Sequence, residues 1–281
     1  MREINTTAKN TWCPGCGNFA IYNSIMSVLT SMAGEGLSLD NVVLVSGIGC
    51  HAKIADYINV NSFYSLHGRV VPPASGIKIS RPGLTVIGHA GDGDAYGEGL
   101  EHLVFAAKRN IDITMIIHNN RVYGLTTGQY TPTSPLGFKG RSTPYGTKEL
   151  PINPIEIMLS SGATFVARTT SRAMENMKKV FKEAVMHKGF SIVDVLQVCV
   201  TYDNLYDYYD KHVYEMTEHD PSDYDKALVR AREWDYNKDA KIPLGVFYKK
   251  DSPSFETAFV SKGAVSGANV PEVAKFLADK I

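Results

Sequence analysis

The sequence predicts an α/β fold built on a doubly wound, mainly parallel sheet, followed by a C-terminal extension. Three observations carry this reading. Apolar, β-branched runs at Val42–Val45, Leu84–Ile87, Ile111–Ile117 and Ser191–Val198 have the character of strands buried on both faces. Helical stripes alternate with them; Leu100, Leu103, Val104 and Ala107 recur at i, i+3, i+4 and i+7. Glycine-rich turns stand where strands stop, the edge at which open parallel sheets collect ligands.

Taken in order, residues 1 to 11 are polar and predict a surface arm. Trp12-Cys13-Pro14-Gly15-Cys16-Gly17 puts a C-x-x-C into a tight turn. Asn18 is placed to cap a helix to about Met32, with Tyr22, Ile25, Met26 and Leu29 on one face and Gly34 ending it. The first strand runs into Ser46-Gly47-Ile48-Gly49-Cys50-His51-Ala52-Lys53, and a polar, aromatic stretch leads to Leu66-His67-Gly68-Arg69. Pro72-Pro73-Ala74-Ser75-Gly76 predicts a loop. The next strand meets Gly88-His89-Ala90-Gly91-Asp92-Gly93-Asp94, and the one after it ends in His118-Asn119-Asn120-Arg121-Val122-Tyr123-Gly124. A loop over residues 125 to 152, rich in Thr, Pro and Gly, exceeds the roughly 15 residues beyond which loops are usually functional or disordered. Its position directly after a strand-end asparagine favours function. A helix at 154–161, a strand at Thr164–Ala167 and a helix from a Ser171 cap to Lys188, stopped by Gly189, continue the alternation. Residues 1–200 are thus expected to form the α/β domain. From Tyr202 acidic residues gather among tyrosines, and residues 201–281 predict an extension packed on the core or on a partner, with helices at Ala227–Trp234 and after Pro271.

The chain has 281 residues and a formal net charge of zero, so nothing in it points to nucleic acid or an anionic membrane. No apolar run approaches the roughly 18 residues of a membrane-spanning helix. Met1-Arg2-Glu3-Ile4-Asn5-Thr6 has no apolar signal core, which predicts a cytosolic, cytoplasmic protein. In that compartment the four cysteines are expected to bind metal or do chemistry, not to form disulfides.

The two strand-end motifs fit one chemistry. Glycines let backbone approach a phosphate closely, but an aspartate beside them repels it unless a cation lies between. Mg²⁺ held by Asp92, with Asn120 and a nearby carbonyl on the next strand end, resolves the conflict. A GDG followed about two dozen residues later by a double Asn resembles the thiamine diphosphate fingerprint, the bland reading being a capped, glycine-rich turn. Cys13 and Cys16 share a turn, and Cys50 and Cys199 each follow a strand, so all four can converge on one sheet edge. Four thiolates suit Zn²⁺ or a [4Fe–4S] cluster; only the cluster could take electrons from an adjacent thiamine site.

Together, WCPGCG (12–17), GIGC (47–50), LHGR (66–69), GDGD (91–94) and NRVYGLTTGQ (120–129), followed by Thr131-Pro132-Thr133, resemble the β subunit of 2-oxoacid:ferredoxin oxidoreductases over about residues 10 to 200. The resemblance implies the thiamine diphosphate-binding form of the α/β fold and oxidative decarboxylation of a 2-oxoacid, such as 2-oxoglutarate or pyruvate, to acyl-CoA. It implies Cys13, Cys16, Cys50 and Cys199 as [4Fe–4S] ligands, and Asp92, the Asn120 side chain and the Val122 carbonyl as Mg²⁺ ligands. Ile48, Gly49, Cys50, His51, His67, Gly93, Asp94, Gly124 and Leu125 fall where that family lines thiamine diphosphate. Lys53 matches a basic residue at the 2-oxoacid end of the pocket, against the plain reading of a solvated lysine. His67 is placed to hydrogen-bond the diphosphate or an oxyanion, against a core or capping histidine. Many relatives have Ser-Gly where this chain has His51-Ala52, and Asp where it has Asn119. No glutamate here is placed to activate the aminopyrimidine. The resemblance implies that it comes from an α, or fused γ-α, partner subunit, with coenzyme A and ferredoxin as further partners. Two other readings compete: a non-redox thiamine decarboxylase or ligase with a structural Cys₄ zinc, and a non-catalytic metal-binding scaffold.

Overall fold

The computed structural model describes residues 3–257. Its main sheet has eight strands in the order β2-β1-β3-β4-β8-β7-β10-β9. These are β1 (Val42–Ser46), β2 (Asn61–Tyr64), β3 (Thr85–Gly91), β4 (Thr114–Asn119), β7 (Phe165–Thr170), β8 (Ser191–Leu196), β9 (Val213–Glu215) and β10 (Ile242–Lys249). The pairings from β2 across to β7 are all parallel; β10 joins β7 antiparallel, and β9 runs parallel to β10. A small hairpin, β5 (Val122–Tyr123) with β6 (Gln129–Tyr130), stands apart. The mainly parallel α/β fold expected from the buried runs is the fold observed, and β1, β4, β7 and β8 are buried throughout.

Helices cover both faces. α1 (Asn18–Gly34), α2 (Ile54–Tyr57) and α6 (Met174–Met186) pack Ile21, Ile25, Leu29, Ile54, Met177 and Phe181 against one face. α3 (Val71–Ser80), α4 (Leu100–Arg109), α5 (Pro154–Ser160) and α8 (Tyr224–Ala231) pack Ala74, Leu103, Met158 and Ala227 against the other. α7 (Tyr206–His212) sits in a third cluster with Trp234 and Tyr236. Arg168, wholly buried on β7, lies over the Trp234, Tyr236 and Phe247 rings and ties residues beyond 200 to the sheet. Among the described residues no helix is long and apolar enough to cross a membrane.

Several local expectations are corrected. Pro72–Gly76 is not a loop but the start and middle of α3; both prolines fall in its first turns, where the missing N–H has no intrahelical partner to lose. Asn18 does not cap α1; it is the first helical residue, its side chain turned inward to His118. Gly34 is the last residue of that helix, but it does not make the reversal. Gly36 does so at φ +107°, with Leu37 N–H on Met32 O and Gly36 N–H on Ala33 O, a Schellman closure. Ser171 does not cap α6, which begins after Ala173; its hydroxyl faces Leu196 O and the Val198 N–H instead. The strand expected from Ile111 starts at Thr114, and a π-helical turn, Gly93–Glu98, separates β3 from α4. The helix expected after Pro271 lies outside the described residues.

Strand order decides where the site falls. From β1 the chain moves to β2 on one side, then returns to β3 on the other. This reversal opens a crevice at the carboxyl ends of β1 and β3. The carboxyl ends of β4 and β8 lie next along the same edge, so the segments after residues 46, 91, 119 and 196 emerge side by side.

Candidate active site

One cavity at this edge is lined by Ile48, Gly49, Cys50, His51, His67, Gly93, Asp94, Gly124 and Leu125, together with Asp92, Asn120 and Val122. Its lining holds two carboxylates and, among the described residues, no Lys or Arg. Asp92 is 1% exposed, and burial pushes its carboxyl up to about 6 against the opposing hydroxyls of Thr131 and Thr133. A buried carboxylate with no basic partner beside backbone built for phosphate is the donor set of a bridging divalent cation. The Thr133 hydroxyl lies 2.8 Å from Asp92 Oδ2 and 2.9 Å from Asn119 Oδ1, and Asn119 Nδ2 donates to Asp194 at 3.0 Å. Gly93 is required where it stands: a Cβ there would meet Tyr123 Cε1 at 2.1 Å.

Asp94 turns away from that set. Its Oδ1 accepts from the Gly68 N–H at 2.5 Å, and its Oδ2 faces His51 Nε2 at 3.1 Å, so one carboxylate joins the turns after β1, β2 and β3. His67 Nδ1 lies 3.2 Å from Glu98 Oε2 and 3.9 Å from Asp94 Oδ1 without hydrogen-bond alignment to either, its ring tilted against Tyr123. No glutamate is in the cavity lining among the described residues; Glu98 borders a neighbouring polar cleft with His67 and Tyr123. His118 and His89 form a buried pair, with His118 Nδ1 2.7 Å from Asn18 Oδ1 and His118 Nε2 2.9 Å from His89 Nδ1. Burial drives both imidazoles toward the neutral form, His89 down to about 3.

A second cavity, of about 210 Å³, is lined by Cys13, Cys16, Cys50 and Cys199. The chain brings them together through aromatic and backbone contacts. Trp12 packs edge-to-face on Phe19 and Tyr57 and donates from Nε1 to Cys50 O at 2.7 Å. Gly17 donates to Val198 O at 3.1 Å, an approach so close that a Cβ would meet Val198 N at 2.8 Å. The Cys50 and Cys199 sulfurs each lie 3.8 Å from the point where a Cβ on Gly124 would stand. Burial pushes the Cys16 thiol up to about 11, helped by the other three cysteines and opposed by the Asn18 N–H. Among the described residues no group of three or more His, Cys, Asp or Glu side chains is gathered to hold a metal ion. Lys53 lines this cysteine cavity, its Nζ 2.9 Å from Thr11 Oγ1, and not the cavity of Asp92. Tyr123 and Thr133 stand in the quoted motifs and His118 at a strand end, but the sequence assigns none of them a role, and Gln197 carries no motif signal; their places in the site depend on chain neighbours far away.

Residues 47–195 match the family model described as "Thiamine pyrophosphate enzyme, C-terminal TPP binding domain", more than half of the chain. The fold and site therefore define a thiamine diphosphate-binding domain. Residues 199–261 match a second model, for the C-terminal part of the pyruvate ferredoxin oxidoreductase β chain. The chain is 42% identical over 259 residues to a 2-oxoacid:ferredoxin oxidoreductase subunit beta of Saccharolobus solfataricus, covering 86% of this chain and 82% of that one. It is 40% identical over 198 residues to the 2-oxoglutarate oxidoreductase subunit KorB of Mycobacterium tuberculosis, covering 70% of this chain and 52% of that one. A solved 2-oxoglutarate:ferredoxin oxidoreductase from Magnetococcus marinus, with 2-oxoglutarate, coenzyme A and succinyl-CoA bound, superposes with a TM-score of 0.88. That match has 32% identity and covers 98% of this chain and 94% of that chain. The chain belongs to the β subunits of the 2-oxoacid:ferredoxin oxidoreductases, an enzyme family.

Proposed function

We propose that this chain is the thiamine- and cluster-carrying subunit of a complex that oxidatively decarboxylates a 2-oxoacid to acyl-CoA and passes the electrons to ferredoxin. The observation that carries the reading is a shared wall. Cys50, Asn120, Gly124, Leu125 and Gln197 line both the cavity of Asp92 and the cavity of the cysteines. Asp92, the Asn120 side chain and the Val122 carbonyl would hold Mg²⁺ against the diphosphate; Cys13, Cys16, Cys50 and Cys199 would hold a [4Fe–4S] cluster. When bound, thiamine diphosphate supplies a carbanion-stabilising centre, and the cluster a one-electron acceptor.

The chain's own residues prepare that wall. Thr133 meets Asp92 Oδ2, while Asp94 accepts from the Gly68 N–H and faces His51 beside it. His67, partly exposed at the mouth, is set to meet the diphosphate or a developing oxyanion. Lys53 brings a positive charge to the cysteine side, where it favours the Cys50 thiolate. A substrate carboxylate reaching Lys53 would have to span both cavities. The activating acid would come from an α, or γ-α, partner. A structural zinc needs its thiolates around one ion at about 2.3 Å. Zinc has no redox chemistry, so only the cluster would supply the one-electron acceptor that this reading needs.

The test is anaerobic co-purification with the α partner, then viologen or ferredoxin reduction with coenzyme A and a panel of 2-oxoacids including 2-oxoglutarate and pyruvate. The complex should show a broad band near 400 nm and reduce the acceptor; this chain alone should not turn over. A complex carrying zinc in place of iron, or turnover by the single chain, refutes the reading.

A further inference from the structure

The two cavities meet at Gln197, and its side-chain chemistry is more specific than a filler needs. The residue follows β8 directly, its N–H bonded to Asn119 O at 2.9 Å, and it is 1% exposed. Nε2 donates to Val198 O at 2.6 Å and points to Cys16 Sγ at 3.5 Å. These contacts fix the amide orientation: exchanging the two ends would set Oε1 against a carbonyl oxygen at 2.6 Å, two acceptors face to face. Oε1 is buried and has no hydrogen-bond partner among the described residues. A methionine or leucine would fill the space without stranding an acceptor, so an apolar residue would be the simpler choice for packing alone.

We infer that Gln197 is a positioning residue for electron transfer: its amide N–H donates to the Cys16 thiolate and raises the reduction potential of the cluster that the proposed function places there. The inference rests on that proposed function. An electron entering the cluster adds negative charge to its sulfurs, so an N–H aimed at one of them stabilises the reduced form more than the oxidised form. Cys16 also receives the Asn18 N–H, so two N–H groups meet its sulfur. Gln197 also lines the coenzyme cavity, so one side chain borders the coenzyme site and touches a cysteine of the cluster site.

The experiment compares wild type and Gln197→Met in the anaerobic complex, by dithionite titration with mediators and EPR detection of the reduced cluster. The variant is expected to keep its iron and sulfide content while its midpoint potential moves to more negative values. Full cluster content with an unchanged midpoint overturns the inference. A second measurement needs no variant: wild-type complex with side-chain ¹⁵N-glutamine should show a ¹⁵N coupling to the reduced cluster in pulsed EPR. Absence of that coupling overturns it too. A wild-type complex without iron and sulfide defeats the cluster assignment itself, and is recognised before any potential is measured.

Discussion

Replacing Thr133 by Val keeps the volume of a wholly buried side chain and removes one hydroxyl. That hydroxyl stands 2.8 Å from Asp92 Oδ2 and 2.9 Å from Asn119 Oδ1. A hydrogen bond to a charged group contributes about 1.5–3 kcal/mol net. Loss of a residue that orients a metal ligand costs about 10- to 100-fold in affinity, or roughly 1.4–2.8 kcal/mol, and the two figures agree. Thr133→Val should therefore weaken Mg²⁺-dependent thiamine diphosphate binding by about 10- to 100-fold. Calorimetric titration of the complex with the coenzyme at fixed Mg²⁺ measures this directly. An affinity within about twofold of wild type, well short of that range, would show that this hydroxyl does not hold Asp92 for a cation.

Burial and close contact set two further expectations. His89 is held near a pKa of 3 in the fold, first by burial and then by the charge of His51, against its ordinary 6.5. The folded form therefore refuses a proton that the unfolded chain accepts below pH 6.5. The contribution is fully present above about 6.5 and is lost as pH falls toward 3, by about 2 kcal/mol from pH 7 to pH 5. The buried carboxyls of Asp92, Asp194 and Asp203, pushed upward, pull the other way over the lower part of that window. The difference between wild type and His89→Gln isolates the imidazole: in urea titrations the cost of the substitution should shrink by that amount between pH 7 and pH 5, and a pH-independent cost would refute it. Gly93→Ala sets a methyl 2.1 Å from the Tyr123 ring and should reduce the thermal stabilisation given by thiamine diphosphate with Mg²⁺. Addition of Tyr123→Ala to that variant should recover part of the loss, and a Gly93→Ala protein stabilised as much as wild type would count against the close approach.

Local chemistry was readable wherever it depends on neighbours in the chain. The buried runs at 42–46, 85–91, 114–119 and 191–196 are strands because their apolar, β-branched content suits a sheet covered on both faces. The turns at 12–17, 47–53 and 91–94 carry their cysteines, glycines and aspartates in short, fixed spacings, so the motifs announce themselves. Pro72 and Pro73 misled because proline reads as a breaker by composition but is accepted in a first helical turn. Asn18 and Ser171 misled because a polar side chain before a helix can turn inward when a buried partner, here His118 or the end of β8, is supplied from elsewhere.

The sequence by itself determined the strands, the glycine-rich ends and the identity of the thiolates and carboxylates. Tertiary structure alone decided which ends are neighbours, since the order β1-β3-β4-β8 follows from the crossovers and not from any local pattern. It also decided that Thr133 reaches Asp92 and that Gln197 stands between the two cavities. The physical reason is range: propensity and periodicity act over a few residues, whereas the site joins distant parts of the chain, Gln197 meeting Cys16 across 181 positions.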